Sequence, residues 1–177
     1  MPLPTFEGLS RCRCLPLWKS ISNHPHSFQF SDAFTFTESG LNPQKIVPFV
    51  NEFAMNVLIT GHNTTTALPT ILSTSSTGHY TGIIHLKPTA TGIVAERFEW
   101  LHHTKRPNGA RLPIQCPQCR SCRPWDIPSR RPKKYNKILT FQCGTKKCSG
   151  VCRITPLKGY KMFVSESTVG EWFSRVL

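Results

Sequence analysis

The chain has 177 residues, is 38% apolar and contains fifteen prolines, which allows one medium domain or two small ones and argues against long helices. No run of eighteen apolar residues occurs, so no membrane-spanning segment is expected. The formal net charge of +13 is uneven: residues 1–100 hold six Lys/Arg and six Asp/Glu, whereas residues 101–177 hold sixteen and three, and such a one-sided excess points to a polyanionic partner.

The first residues, MPLPTFEGLSRCRC, lack a basic segment followed by an apolar one. No secretory signal is expected, and a reducing, intracellular setting is the default. Prolines 2, 4, 16 and 25 make residues 1–25 an irregular arm. Cys12 and Cys14 precede His24 and His26 there, but a C-x-C spacing suits a tight metal turn poorly. Phe28, Phe30, Phe34 and Phe36 share one parity, which predicts a half-buried strand or two strands turning at Ser31-Asp32. The stripe reads as core rather than as a base-stacking surface.

Asn42-Pro43 looks like a helix start, and Pro48 restarts the helix. A short helix is expected over residues 48–55, with Phe49, Val50 and Phe53 on one face. Residues 57–60 read as a strand closed by Gly61-His62. Residues 61–78 are rich in Gly, Ser and Thr but lack the lysine of a phosphate-binding loop, so a surface loop is expected. Residues 82–86 read as another strand. Val94, Phe98 and Leu101 fall at i, i+4 and i+7, which predicts a helix over residues 93–103. Residues 1–104 thus read as a small α/β unit, and the basic, turn-rich connector that follows separates it from residues 105–177.

The second part carries six of the eight cysteines: Cys116, Cys119, Cys122, Cys143, Cys148 and Cys152. Cys116 and Cys119 have a C-x2-C spacing, and Cys143 and Cys148 a C-x4-C spacing. Each lets two thiolates of one turn reach one ion, and two such turns complete a tetrahedron. Cys122 and Cys152 are alternates, because Cys119/Cys122 and Cys148/Cys152 are also permitted spacings. Pro117 stiffens the first turn, and Gly144 is expected to supply a left-handed backbone in the second. Residues 111–114 and 138–141 read as strands leading into the turns. Beyond them, residues 151–156 and 160–164 read as strands joined by a turn at Leu157-Lys158-Gly159. Residues 168–177 read as a short helix with Trp172, Phe173 and Val176 on its apolar face.

This stretch resembles the zinc-ribbon family, on Cys116-Pro117-Gln118-Cys119 and on Phe141-Gln142-Cys143-Gly144 followed by Cys148. The resemblance covers the last third of the chain. It implies short antiparallel strands whose ends grip one structural Zn2+ through Cys116, Cys119, Cys143 and Cys148. The whole chain is then α+β: a small α/β unit followed by a zinc-ribbon-like β module.

Between the two cysteine turns lies the run Arg130, Arg131, Lys133, Lys134, Tyr135 and Lys137, five cations in eight residues. Lysines and arginines there would displace counterions from phosphates, while Tyr135 and Trp125 could stack on exposed bases. A non-catalytic, zinc-stabilised protein that binds DNA or RNA is the leading expectation, with a nuclear location open because the same run resembles an import signal. A zinc-dependent protein-interaction module is a second reading. A third is a degenerate relative of caspase-like cysteine peptidases: His62 follows an expected strand, and Cys116 follows another 54 positions later. Gln115-Cys116-Pro117-Gln118 lacks that family's cysteine motif, and a thiolate bound to zinc is no free nucleophile. No pair of carboxylates is placed for acid–base catalysis, and no catalytic residue is assigned.

Overall fold

The computed structural model describes residues 31–122, 124–126, 137–164 and 170–177. Its first strand, β1 (Ala33–Phe36), turns Phe34 and Phe36 toward a helix, α1 (Val47–Phe53). Phe34 meets Phe49 and Phe53 edge-on at 5.2 Å, and Phe36 meets Phe49 at 5.9 Å. Phe34 and Phe36 therefore pack against the core, as their parity implied. Phe28 and Phe30 lie outside the described residues, as do Cys12, Cys14, His24 and His26. Asn42 caps a short 3-10 turn (Pro43–Lys45), its side-chain oxygen accepting from the Gln44 amide at 3.0 Å. Val50, expected on the buried face of α1, points to solvent.

The expected strand over residues 57–60 is helical instead. α1 continues as a π-helical segment (Ala54–Ile59), with the Thr60 amide donating to the Met55 carbonyl. Within it Asn56 donates its side-chain amide to the Glu52 carbonyl at 2.8 Å. The expected surface loop over residues 61–78 is also corrected. α2 (Thr64–Thr74) starts at Asn63, whose side chain accepts from the Thr65 amide at 2.9 Å. Ala67, Leu68, Ile71 and Leu72 share its buried face. Their helical spacing outweighs the hydroxyl-rich composition and Pro69.

β2 (Ile83–Thr89) pairs antiparallel with β1 and with β3 (Gly92–Leu101). β3 is the segment expected as a helix over residues 93–103. The period was misleading because four consecutive residues at its end, Phe98 to Leu101, are buried on both faces of the sheet. On one face Phe98 and Trp100 join the main core. On the other Glu99 accepts from Arg97 Nη2 at 2.5 Å and from the buried Arg106 at 3.3 Å.

After a 3-10 turn (Pro107–Gly109) the chain forms a second, three-stranded antiparallel sheet: β4 (Trp125–Asp126), β5 (Leu139–Cys143) and β6 (Val151–Ile154), in the order β4-β5-β6. Residues 111–114, expected as a strand, form none. The chain then returns to the first sheet through β7 (Lys161–Val164) and β8 (Glu171–Val176). β8, expected as a helix, instead pairs with β3, placing Trp172 opposite Trp100 and completing the order β1-β2-β3-β8-β7. The molecule is α+β, and the boundary expected at residue 104 does not divide its sheets. The cysteine-bearing part is an excursion between β3 and β7.

The first sheet and its helices share one core, with Ile71, Leu72, Ile83, Phe98, Trp100 and Trp172 at its centre. Trp172 donates its indole N–H to the Leu72 carbonyl at 2.8 Å. Gly78 lies against this pair of tryptophans: a Cβ there would stand 2.6 Å from Trp100 Cβ and from Trp172 Cζ2. Gly78→Ala is expected to destabilise the protein by about 1–3 kcal/mol through overpacking, measured by urea denaturation. An unchanged midpoint would mean that the tryptophans can retreat.

Beside this core, Asp32 joins β2 to the start of α2. It accepts from Thr64 at 3.0 Å and faces His85 Nε2 at 2.6 Å, while the imidazole stacks on Phe34. Burial pushes the His85 imidazole below its ordinary value and outweighs the opposing hydrogen bond and charge of Asp32. Burial also pushes the Asp32 carboxyl up, but hydrogen bonds from His85, Thr64 and Ser31 outweigh that and hold it below its ordinary value. The pair is thus a neutral imidazole donating to a carboxylate. Because the folded pKa of His85 lies below the unfolded one, its contribution is complete above about pH 6.5 and is lost as pH falls below that value and through the lower folded pKa. An NMR titration of the His85 ring is expected to give a midpoint below about 6.5; a higher one would mean that the Asp32 charge dominates.

Candidate metal centre

Two turns bring four sulfurs together at one end of the second sheet. The first runs from Cys116 to Ser121, where the Cys116 amide donates to the Ser121 carbonyl at 2.9 Å and the Arg120 amide to the Cys116 carbonyl at 2.8 Å. The second joins β5 to β6. Cys143 ends β5, its amide donates to the Gly150 carbonyl at 2.9 Å, and the Cys148 amide donates to Thr145 at 3.0 Å. Gln118 and Ser149 bridge the turns through a hydrogen bond of 3.1 Å.

The sulfurs of Cys116, Cys119, Cys143 and Cys148 all lie within 4.8 Å of one another. Cys116 and Cys148 are 3.8 Å apart, and Cys119 and Cys143 3.7 Å. Four thiolates arranged tetrahedrally at the usual Zn–S length of about 2.3 Å stand about 3.8 Å apart, whereas a disulfide needs about 2.05 Å. The donor set and its spacing therefore fit a single metal ion, and all six described cysteines are free thiols. Cys122 and Cys152, the alternates, lie outside this group. Cys152 is half buried against the small core of Leu139, Phe141 and Ile154.

Cys119 and Cys148 hold their protons unequally. A hydrogen bond from the Ser121 backbone pulls Cys119 down to about 6, and contacts from the other three cysteines help. At Cys148 the Gly150 amide favours the thiolate, but burial and the neighbouring thiols outweigh it and push the group up to about 12. The thiolate is favoured at Cys119 and opposed at Cys148, and a bound cation would favour it at both.

Two residues of the turns behave differently from expectation. Gly144 does not supply a left-handed backbone. It is small because a Cβ would stand 2.5 Å from the Pro124 carbonyl oxygen. The left-handed positions are Arg120, with φ of 56°, and Lys147, with φ of 66°. Each costs about 1 kcal/mol relative to glycine. Gly150 was missed, although Ser149-Gly150 is a recognisable turn pair. A Cβ there would stand 2.5 Å from Cys116 Sγ, and its amide donates to Cys148 Sγ at 3.3 Å.

Of the residues expected to touch nucleic acid, Arg130, Arg131, Lys133, Lys134 and Tyr135 lie outside the described residues, and Lys137 is exposed. Trp125 packs against the small core and donates its indole N–H to the Pro113 carbonyl at 2.7 Å. The peptidase pattern loses both supporting strands. His62 is exposed after a helical segment, and Cys116 is buried among the other thiols.

Together these features define an α+β protein with a four-cysteine metal-binding centre at the end of a small antiparallel sheet. Compared with protein-family models, with curated proteins and with solved structures, the chain matches none.

Gly150→Ala is expected to weaken binding of zinc by roughly tenfold or more, because it removes the close approach of Cys116 and disturbs a donor to Cys148. Competition with a chromophoric chelator reads this directly. Unchanged affinity would mean that the turn can shift without disturbing the sulfurs.

Proposed function

We propose that the chain is a zinc-stabilised, non-catalytic nucleic-acid-binding protein. The observation that carries this reading is the four-sulfur cluster, which tethers both ends of the segment holding the run Arg130–Lys137. Zinc is favoured over other ions because a tetrahedral set of four thiolates is the usual structural zinc site. The short antiparallel sheet, with one cysteine turn linking β5 to β6, supports the likeness to a zinc ribbon. The ion's role is structural: it fixes the two turns and so presents the cations around them. Residues 31–104, together with β7 and β8, serve as the scaffold from which the metal-bearing excursion projects.

The charge balance favours a nucleic acid. Zinc with four thiolates carries a net charge of −2, which offsets only a small part of the +13 excess. A nuclear or other intracellular location agrees with the basic run and with free thiols. A second reading, a protein-interaction module, draws on exposed apolar groups: Ile114, 86% exposed beside the first cysteine turn, and Leu58 and Ile59 on the helical segment.

The test is binding of the zinc-loaded chain to a mixed-sequence DNA duplex, to its single strand and to RNA of the same sequence. Affinity for at least one of them is expected to fall steeply as salt rises and to disappear with a chelator. Salt-independent binding, or none, would remove the nucleic-acid reading and leave the protein-interaction module.

A further inference from the structure

Both cysteine turns pass through the left-handed region, and in each a cation stands where glycine is the unstrained choice: Arg120 directly after Cys119 and Lys147 directly before Cys148. Both side chains are exposed, as is Lys146. Neither Arg120 nor Lys147 has a side-chain hydrogen bond or ion pair among the described residues. Each adjoins a ligand of the same ion, so the two cations stand at one end of the module, and the Gln118–Ser149 bridge holds their turns in register.

Offsetting the charge of the metal centre is a weak reason for cations at two strained positions. Backbone N–H groups already serve the thiolates, Ser121 at Cys119 and Gly150 at Cys148. Such fixed dipoles stabilise sulfur charge without side-chain ordering. A contact role explains the choice better. A left-handed residue in a short turn holds its Cα in a fixed place, so each side chain reaches an anion from a defined point.

We propose that Arg120 and Lys147 form a two-point phosphate clamp, by which the metal centre itself grips the backbone of a nucleic acid. This rests on the nucleic-acid reading and adds to it a contact face separate from the run Arg130–Lys137. Arginine can hold one phosphate through two N–H donors, and lysine adds a point charge for a neighbouring one. The clamp recognises backbone and not sequence, so it orients the module without specifying a base. Metal removal would disband it, because the distance between the two cations is set by the shared ion.

The experiment uses the full zinc-loaded chain, its Arg120→Gly/Lys147→Gly double variant and the charge-preserving Arg120→Lys/Lys147→Arg variant. The probe is a mixed-sequence DNA duplex titrated across a range of salt. The glycine variant is expected to keep its zinc and to melt at the same temperature or higher. Its slope of log affinity against log salt is expected to shrink by about 1.8, two contacts at about 0.9 each. The charge-preserving variant is expected to retain the wild-type slope. An unchanged slope in the glycine variant overturns the clamp while leaving nucleic-acid binding in place. A loss of zinc affinity with an unchanged slope overturns it too, and assigns the cations to the charge of the metal centre. Failure of the wild-type chain to bind the duplex with any salt dependence overturns the clamp on DNA and removes duplex DNA from the reading beneath it.

Discussion

Four sulfurs competing for one small volume are what the second sheet has in place of a core. Among the described residues its apolar cluster is Leu139, Phe141 and Ile154, supported by Trp125, Leu112 and Cys152. Three strands of two to five residues with so few apolar contacts cannot offset their own ordering. An ion held by four thiolates supplies about 10 kcal/mol or more in small zinc modules, enough to reverse that balance. The turns, their bridge through Gln118 and Ser149 and the close approach at Gly150 are then consequences of gathering the sulfurs.

The first sheet stands on different ground. Its centre is the packing of Trp100 and Trp172 against α2, and it is closed by strands that arrive from opposite ends of the chain. β8 reaches β3 only after the cysteine-bearing excursion, so the excursion leaves and re-enters one sheet. Its two ends are fixed to a body with its own apolar core. The buried Arg106–Glu99 pair ties the excursion to that body, and within the excursion Asn108 donates to the Lys137 carbonyl at 3.1 Å. This division of labour gives the cysteine-bearing excursion a stable base.

The cysteine turns were legible because ligand chemistry writes itself into spacing. A pair of thiolates must lie within a few residues on a tight turn, and little else places cysteines so. The strands of the first sheet were harder. Glu99 sits amid Phe98, Trp100 and Leu101 because Arg106 and Arg97 neutralise it inside the fold. Both faces of β3 are therefore covered, and alternation fades into an apparent helical period. Residues 57–60 carry strand-forming side chains, yet the helix before them continues as a π-helical segment. α2 was concealed by its threonines and Pro69, although the capping Asn63 and the spacing of Leu68, Ile71 and Leu72 were in view. Arg120 and Lys147 gave no local sign of a left-handed backbone. That conformation follows from closing a turn around sulfurs, a tertiary demand no single residue announces.

The clearest trial of the account is X-ray absorption at the zinc edge on the metal-loaded protein, with metal content measured on the same sample. One ion per chain with a shell of four sulfurs at about 2.3 Å is the predicted result. A shell containing nitrogen or oxygen, or a chain that takes up no zinc, would contradict it.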